Sequence, residues 1–133
     1  MNTRALTRPA GPRKLRITLT AEHAARTAPN EVRAAIRTWE VPVDPSVAVL
    51  LTGELVANAL RHGASGAIEL VVSCALGQLQ VDVYDRSPAA ALQMDAPADS
   101  EAGAGLMHLA SLSTSWGYSQ TPTGRAGYFT LIF

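Results

Sequence analysis

Glu54, Asn58, Arg61 and His62 stand at i, i+4, i+7 and i+8 within the run from Val47 to Gly63, VAVLLTGELVANALRHG. At about 100° per residue they form one narrow stripe on a helix that is otherwise apolar around most of its circumference. Such a helix expects burial. A carboxylate on it loses hydration worth several kcal/mol unless a cation, a donor or water replaces that hydration. A cleft holding a metal ion and a charged ligand would supply the replacement. The plain alternative is a solvated helix edge whose charges contribute little.

Two other stretches carry groups suited to the same ligand. Asp85, in Asp85–Arg86–Ser87–Pro88, closes an alternating run in which Leu79, Val81 and Val83 share one face, so its side chain can point into a pocket at the strand's end. Gly103–Ala104–Gly105 precedes the apolar run from Leu106 to Leu112. Glycines at a helix start let backbone N–H groups approach an anion, and the positive end of the helix favours a phosphate there.

The elements that must position these groups follow from periodicity. Arg13 to Thr20 alternates and predicts a half-buried strand at or near a sheet edge. Ala21 to Trp39 has helical spacing, with Thr20 as its cap and a kink or restart expected at Pro29. Pro42 and Pro45 mark a loop in which Asp44 or Ser46 can cap the central helix. Ala67–Ala75 and Leu79–Tyr84 read as a hairpin, residues 86–105 as a loop without regular structure, and Ser115–Gln120 with Arg125–Phe133 as a closing hairpin. Hairpins with helices between them predict an α+β two-layer sandwich, its mixed, largely antiparallel sheet covered on one face by helices.

With 133 residues the chain suits one domain, residues 13–133, preceded by a basic arm over residues 1–12 that carries Arg4 and Arg8. Zero net charge and 17% charged residues give no pull towards nucleic acid or membrane. No apolar run approaches membrane-spanning length, and the basic start is broken by Pro9, Gly11 and Pro12 where a signal peptide needs an apolar core. The single cysteine, Cys74, lies in an apolar run and reads as a core thiol of a cytoplasmic protein.

Taken together, E-L-V-x-N-A-x-x-H-G on a helix, then a hairpin, D-x-S-P, a loop, G-x-G-L and a closing hairpin resemble the GHKL (histidine kinase/heat-shock-chaperone-like) ATPase superfamily. The likeness runs over about Arg13 to Phe133 and is strongest to its small anti-sigma factor serine kinases. It implies the Bergerat-type ATP-binding fold, with ATP and Mg²⁺ as ligands. Asn58 then corresponds to the Mg²⁺ ligand, Glu54 to the general base and Asp85 to the acceptor of the adenine amino group. Gly103, Gly105 and Leu106 correspond to the end of the lid over the phosphates. Arg61 or His62 would neutralise phosphate charge, and Ser87 joins the nucleotide-binding set.

The resemblance also implies partners: a sigma factor held by the protein, a STAS-type anti-anti-sigma protein phosphorylated on serine, and a homodimer. The chain departs from the family's D-x-G-x-G pattern by placing Ser87 and Ala89 at the glycine positions. That departure motivates an alternative: an inactive binding module that keeps the fold and acts by sequestering its partner. Of the final strand, Thr130 is the candidate for the threonine the family places there, and Arg125 sits near the turn.

Overall fold

The computed structural model describes residues 11–61, 66–86 and 101–133, with residues 101 and 102 through their backbone alone. The arm up to Ala10, together with His62, Gly63, Ser87 and Ala89, lies outside the described residues. The element order is β1 (Arg13–Thr20), α1 (Ala21–Thr38), α2 (Pro45–Arg61), β2 (Ala67–Ala75), β3 (Gln78–Asp85), α3 (Glu101–Leu112), β4 (Ser115–Thr121) and β5 (Gly124–Ile132). The strands form one sheet in the order β1-β2-β3-β5-β4. This is the expected α+β two-layer architecture, and β1 takes the edge position its alternation predicts. All four pairings are antiparallel, so among the described residues the sheet is antiparallel throughout and the expected mixed character is corrected.

The core lies between the sheet's inner face and the helices. Leu70 and Val72 of β2, Leu79 and Val81 of β3 and Phe129 of β5 meet Leu51, Leu55 and Val56 of α2, all essentially without solvent contact. Burying each such side chain contributes about 1.5–3 kcal/mol. Cys74 packs half-buried at the margin of this core, and burial pushes its thiol above the usual 9.0. That agrees with an unreactive packing residue.

Local choices explain the joints. The β2–β3 turn is Leu76–Gly77, both with positive φ (53° and 76°), the conformation a tight two-residue hairpin demands. Asp44 caps α2: its Oδ1 accepts from Ser46 N–H at 2.9 Å and from the Ser46 hydroxyl at 2.7 Å. The proline at position 45 sits at the first helical position, where its missing N–H has no intrahelical partner to lose.

Three expectations are corrected. Helix α1 runs through Pro29 without restarting, because Ala24, Ala28, Val32 and Ile36 keep one buried face across it. Thr20 occupies the cap position of α1 but makes no capping bond; its hydroxyl pairs with His23 Nδ1 at 2.9 Å. Helix α3 begins at Glu101, ahead of Gly103 and Gly105, so the structureless stretch predicted to reach Gly105 ends earlier. Among the described residues no helix is long and apolar enough to cross a membrane.

Candidate functional site

Helix α2 carries the site's polar groups out of the core. Seven of its residues are buried, Asn58 among them with 4% exposure, while Glu54 one turn earlier is half-buried and Arg61 is exposed. A carboxamide this deep needs partners for both its oxygen and its nitrogen. Asn58 Nδ2 donates to the Tyr118 hydroxyl at 2.6 Å, and Asn58 Oδ1 accepts from the Arg61 guanidinium at 2.7 Å. Since Arg61 can only donate, the amide oxygen must face it, and the nitrogen is thereby turned to Tyr118.

Tyr118 reaches Asn58 because of a glycine opposite. In the β4–β5 register Tyr118 pairs with Gly127, and a Cβ at 127 would stand 2.6 Å from the tyrosine ring. The ring therefore lies against bare backbone. Burial pushes the Tyr118 phenol above its usual 10.0, against the opposing influence of Asn58 and the nearby Arg125 and Arg61.

Beyond Tyr118 the chain of contacts continues. The Arg125 guanidinium lies 5.2 Å from the Tyr118 ring centroid and donates to Asp85 Oδ2 at 3.3 Å. Asp85 and Arg125 are cross-strand partners on β3 and β5, both on the inner face and both buried. Asp85, Arg125, Tyr118, Asn58 and Arg61 thus form one continuous path from the end of the sheet to the end of α2.

Glu54 belongs to a second cluster. Its Oε1 is 3.0 Å from Nδ1 of His108 on α3, with side-chain exposures of 19% and 44% for Glu54 and His108. Its other carboxylate oxygen stands where a Cβ at Gly105 would be, so a side chain at 105 would collide with the carboxylate.

This changes the reading of the glycine motif. Gly105 is the fifth residue of α3, inside the helix, where its N–H is no longer one of the unsatisfied first-turn amides that cradle an anion. What it provides is close approach of α3 to Glu54. Gly103, by contrast, is buried in the first turn, and Leu106 is buried one residue after Gly105. His62 and Ser87 lie outside the described residues.

The sequence reading passed over His108, gave no role to Tyr118 and noted Arg125 only as lying near the turn. Strand parity carried the signal for the latter two: Trp116 and Tyr118 on β4, and Arg125, Gly127, Phe129 and Leu131 on β5, alternate onto one face. Thr130 falls on the opposite face, where its hydroxyl bonds that of Ser115 at 2.6 Å. It stands apart from the path that Asp85 joins.

The donor set suits magnesium carried on a polyphosphate. Among the described residues no three His, Cys, Asp or Glu side chains gather as a metal cage. Mg²⁺ characteristically takes one or two protein oxygens and fills its shell with water and phosphate. Asn58 Oδ1 is an oxygen of that kind, and a metal there would take the place of the Arg61 guanidinium that it now accepts from.

Among curated proteins none matches the chain significantly. The family model described as "Histidine kinase-like ATPase domain" matches residues 15–129, which takes in α2, the β2–β3 hairpin, α3 and most of β5. ATP binding is the property that this match supports, and the antiparallel sheet with three helices agrees with the fold. The chain belongs to the histidine kinase-like ATPase domain family.

Proposed function

We propose that the protein is an ATP- and Mg²⁺-binding regulatory serine kinase of the anti-sigma type, formed by residues 13–133 and working in the cytoplasm. The observation that carries this reading is the continuous path from Asp85 through Arg125 and Tyr118 to Asn58, with Glu54 one helical turn away. It joins a candidate base-recognising carboxylate to a candidate metal ligand. A candidate general base stands beside the latter.

Each residue has a task it can perform chemically. Asp85 accepts from a purine amino group. Asn58 offers its amide oxygen to the magnesium on the phosphates, which when bound neutralises charge developing during transfer. Arg61, at the exposed end of α2, meets phosphate oxygens, and His62 is placed by sequence to do the same. Ser87, Gly103, Gly105 and Leu106 complete the nucleotide-binding set. Glu54, held by His108, orients the attacking serine hydroxyl and takes its proton.

The acceptor would be a serine on a STAS-type anti-anti-sigma protein, and the protein competed for would be a sigma factor, with the kinase acting as a homodimer. The test is transfer of labelled phosphate from ATP to such a partner by the wild type and by Glu54→Ala. The expected outcome is loss of transfer with nucleotide binding intact. Full transfer by Glu54→Ala would overturn the assignment.

A specific feature favours a second reading, the sequestering module without turnover. Both candidate acceptors, Asn58 Oδ1 and Asp85, are engaged by the chain's own arginines. Partner binding that persists while ATP is never consumed would select it.

A further inference from the structure

We infer that Arg125 sets the affinity of the base subsite by holding the Asp85 carboxylate in competition with a purine amino group. The inference rests on the nucleotide reading above and asks how strongly this chain reads the base.

Asp85 and Arg125 face each other in register on β3 and β5, with side-chain exposures of 2% and 4%. Three features keep the guanidinium on the carboxylate. The guanidinium carbon lies over the Tyr118 ring, 5.2 Å from its centroid, a favourable placement for a cation on an aromatic. Tyr118 is fixed in turn by the Asn58 amide on one side and the bare backbone of Gly127 on the other. At Gly124, the residue before Arg125, a Cβ would collide with the backbone of Asp85 and Arg86, so the two strand ends are pressed as close as backbone allows. Arg125 therefore cannot withdraw by a small separation of the strands.

The competition is unequal. A hydrogen bond between a cation and a carboxylate is roughly twice as strong as one from a neutral donor. The guanidinium also needs no further desolvation, whereas an incoming amino group gives up its water. An amino group arriving at Asp85 meets a carboxylate whose charge is already matched, so it adds little to binding. Nucleotide affinity then comes mainly from the phosphate and metal end, through Asn58 and Arg61. A small polar residue in place of Arg125 releases the carboxylate to the base.

The test is calorimetry on the full chain with Mg²⁺ and two ligands: ATP, and the triphosphate of purine riboside, which lacks the 6-amino group. For the wild type the two dissociation constants should agree within about threefold. Arg125→Thr should bind ATP about tenfold more tightly and discriminate against the amino-free ligand by about tenfold. Adding Asp85→Asn should cancel both gains.

A wild type that binds ATP at least tenfold better than the amino-free ligand overturns the inference and leaves the nucleotide reading standing. So does a folded Arg125→Thr that binds ATP no more tightly. Failure of wild type and folded variant alike to bind either triphosphate overturns both together. If Arg125→Thr does not fold, the wild-type comparison decides alone.

Discussion

Glu54 and Gly105 stand so close that a Cβ at position 105 would crowd the Glu54 carboxylate and oblige that side chain to shift. Gly105, a candidate phosphate-site glycine, lets α3 press against the candidate base. His108, one turn further along the same helix, then meets the other carboxylate oxygen at 3.0 Å.

Gly105→Ala therefore has opposed effects. Alanine improves helix propensity by about 1 kcal/mol, while the displaced Glu54 loses its contact with His108. Stability by chemical denaturation is expected to stay within about 1 kcal/mol of wild type. Phosphate transfer should fall by at least about tenfold, as the carboxylate swings out of place. Unchanged transfer would separate Gly105 from the function of Glu54.

His108→Ala removes a partner that is nearly half exposed, so its cost in stability is expected to be below about 1 kcal/mol. The rate should fall with ATP affinity unaltered, since His108 acts through Glu54 and meets no candidate nucleotide ligand. Single-turnover transfer alongside a nucleotide titration checks this division.

Much of this arrangement was legible in the sequence, and the remainder was hidden for definite reasons. The alternation of Leu15, Ile17 and Leu19 located the edge strand, and polar Glu54 and Asn58 in an apolar helix pointed to the candidate site. Of the two outcomes expected at Pro29 the restart does not occur, because the buried face of α1 continues across it. The start of α3 was hidden because Gly103 and Gly105 are poor helix formers. For Gly105 the structural role, the approach to Glu54, is a contact between residues 51 positions apart in the chain. The Asp85–Arg125 pair was likewise invisible until the β3–β5 register was known, since strand parity gives Arg125 its face but not its partner.

That pair should show in stability. Removing one member of a buried ion pair strands the other and costs about 3–5 kcal/mol. Asp85→Ala and Arg125→Ala are each expected in that range by urea denaturation, with the double variant costing clearly less than their sum. Additive losses would mean that the two side chains do not depend on one another.

Tyr118 gives a pH signature. Its phenol is raised above 10.0 by burial, so the unfolded chain ionises first as pH rises. The contribution is fully present below the unfolded value and is lost as pH climbs through the folded one. Stability of the wild type should therefore fall above about pH 10, and Tyr118→Phe should lack this component of the decline. At neutral pH the same variant leaves the Asn58 amide nitrogen without its partner, at a cost of about 1–3 kcal/mol.

Asn58 is the proposed point at which the chain meets a metal-bound nucleotide. Calorimetric titration of the full chain with ATP, with and without Mg²⁺, in wild type and Asn58→Ala, measures this in one set of experiments. The expected result is binding that is strengthened at least about tenfold by Mg²⁺ in the wild type, with that increment lost in Asn58→Ala. Absence of binding at millimolar ATP, or an equal Mg²⁺ effect in both proteins, would contradict it.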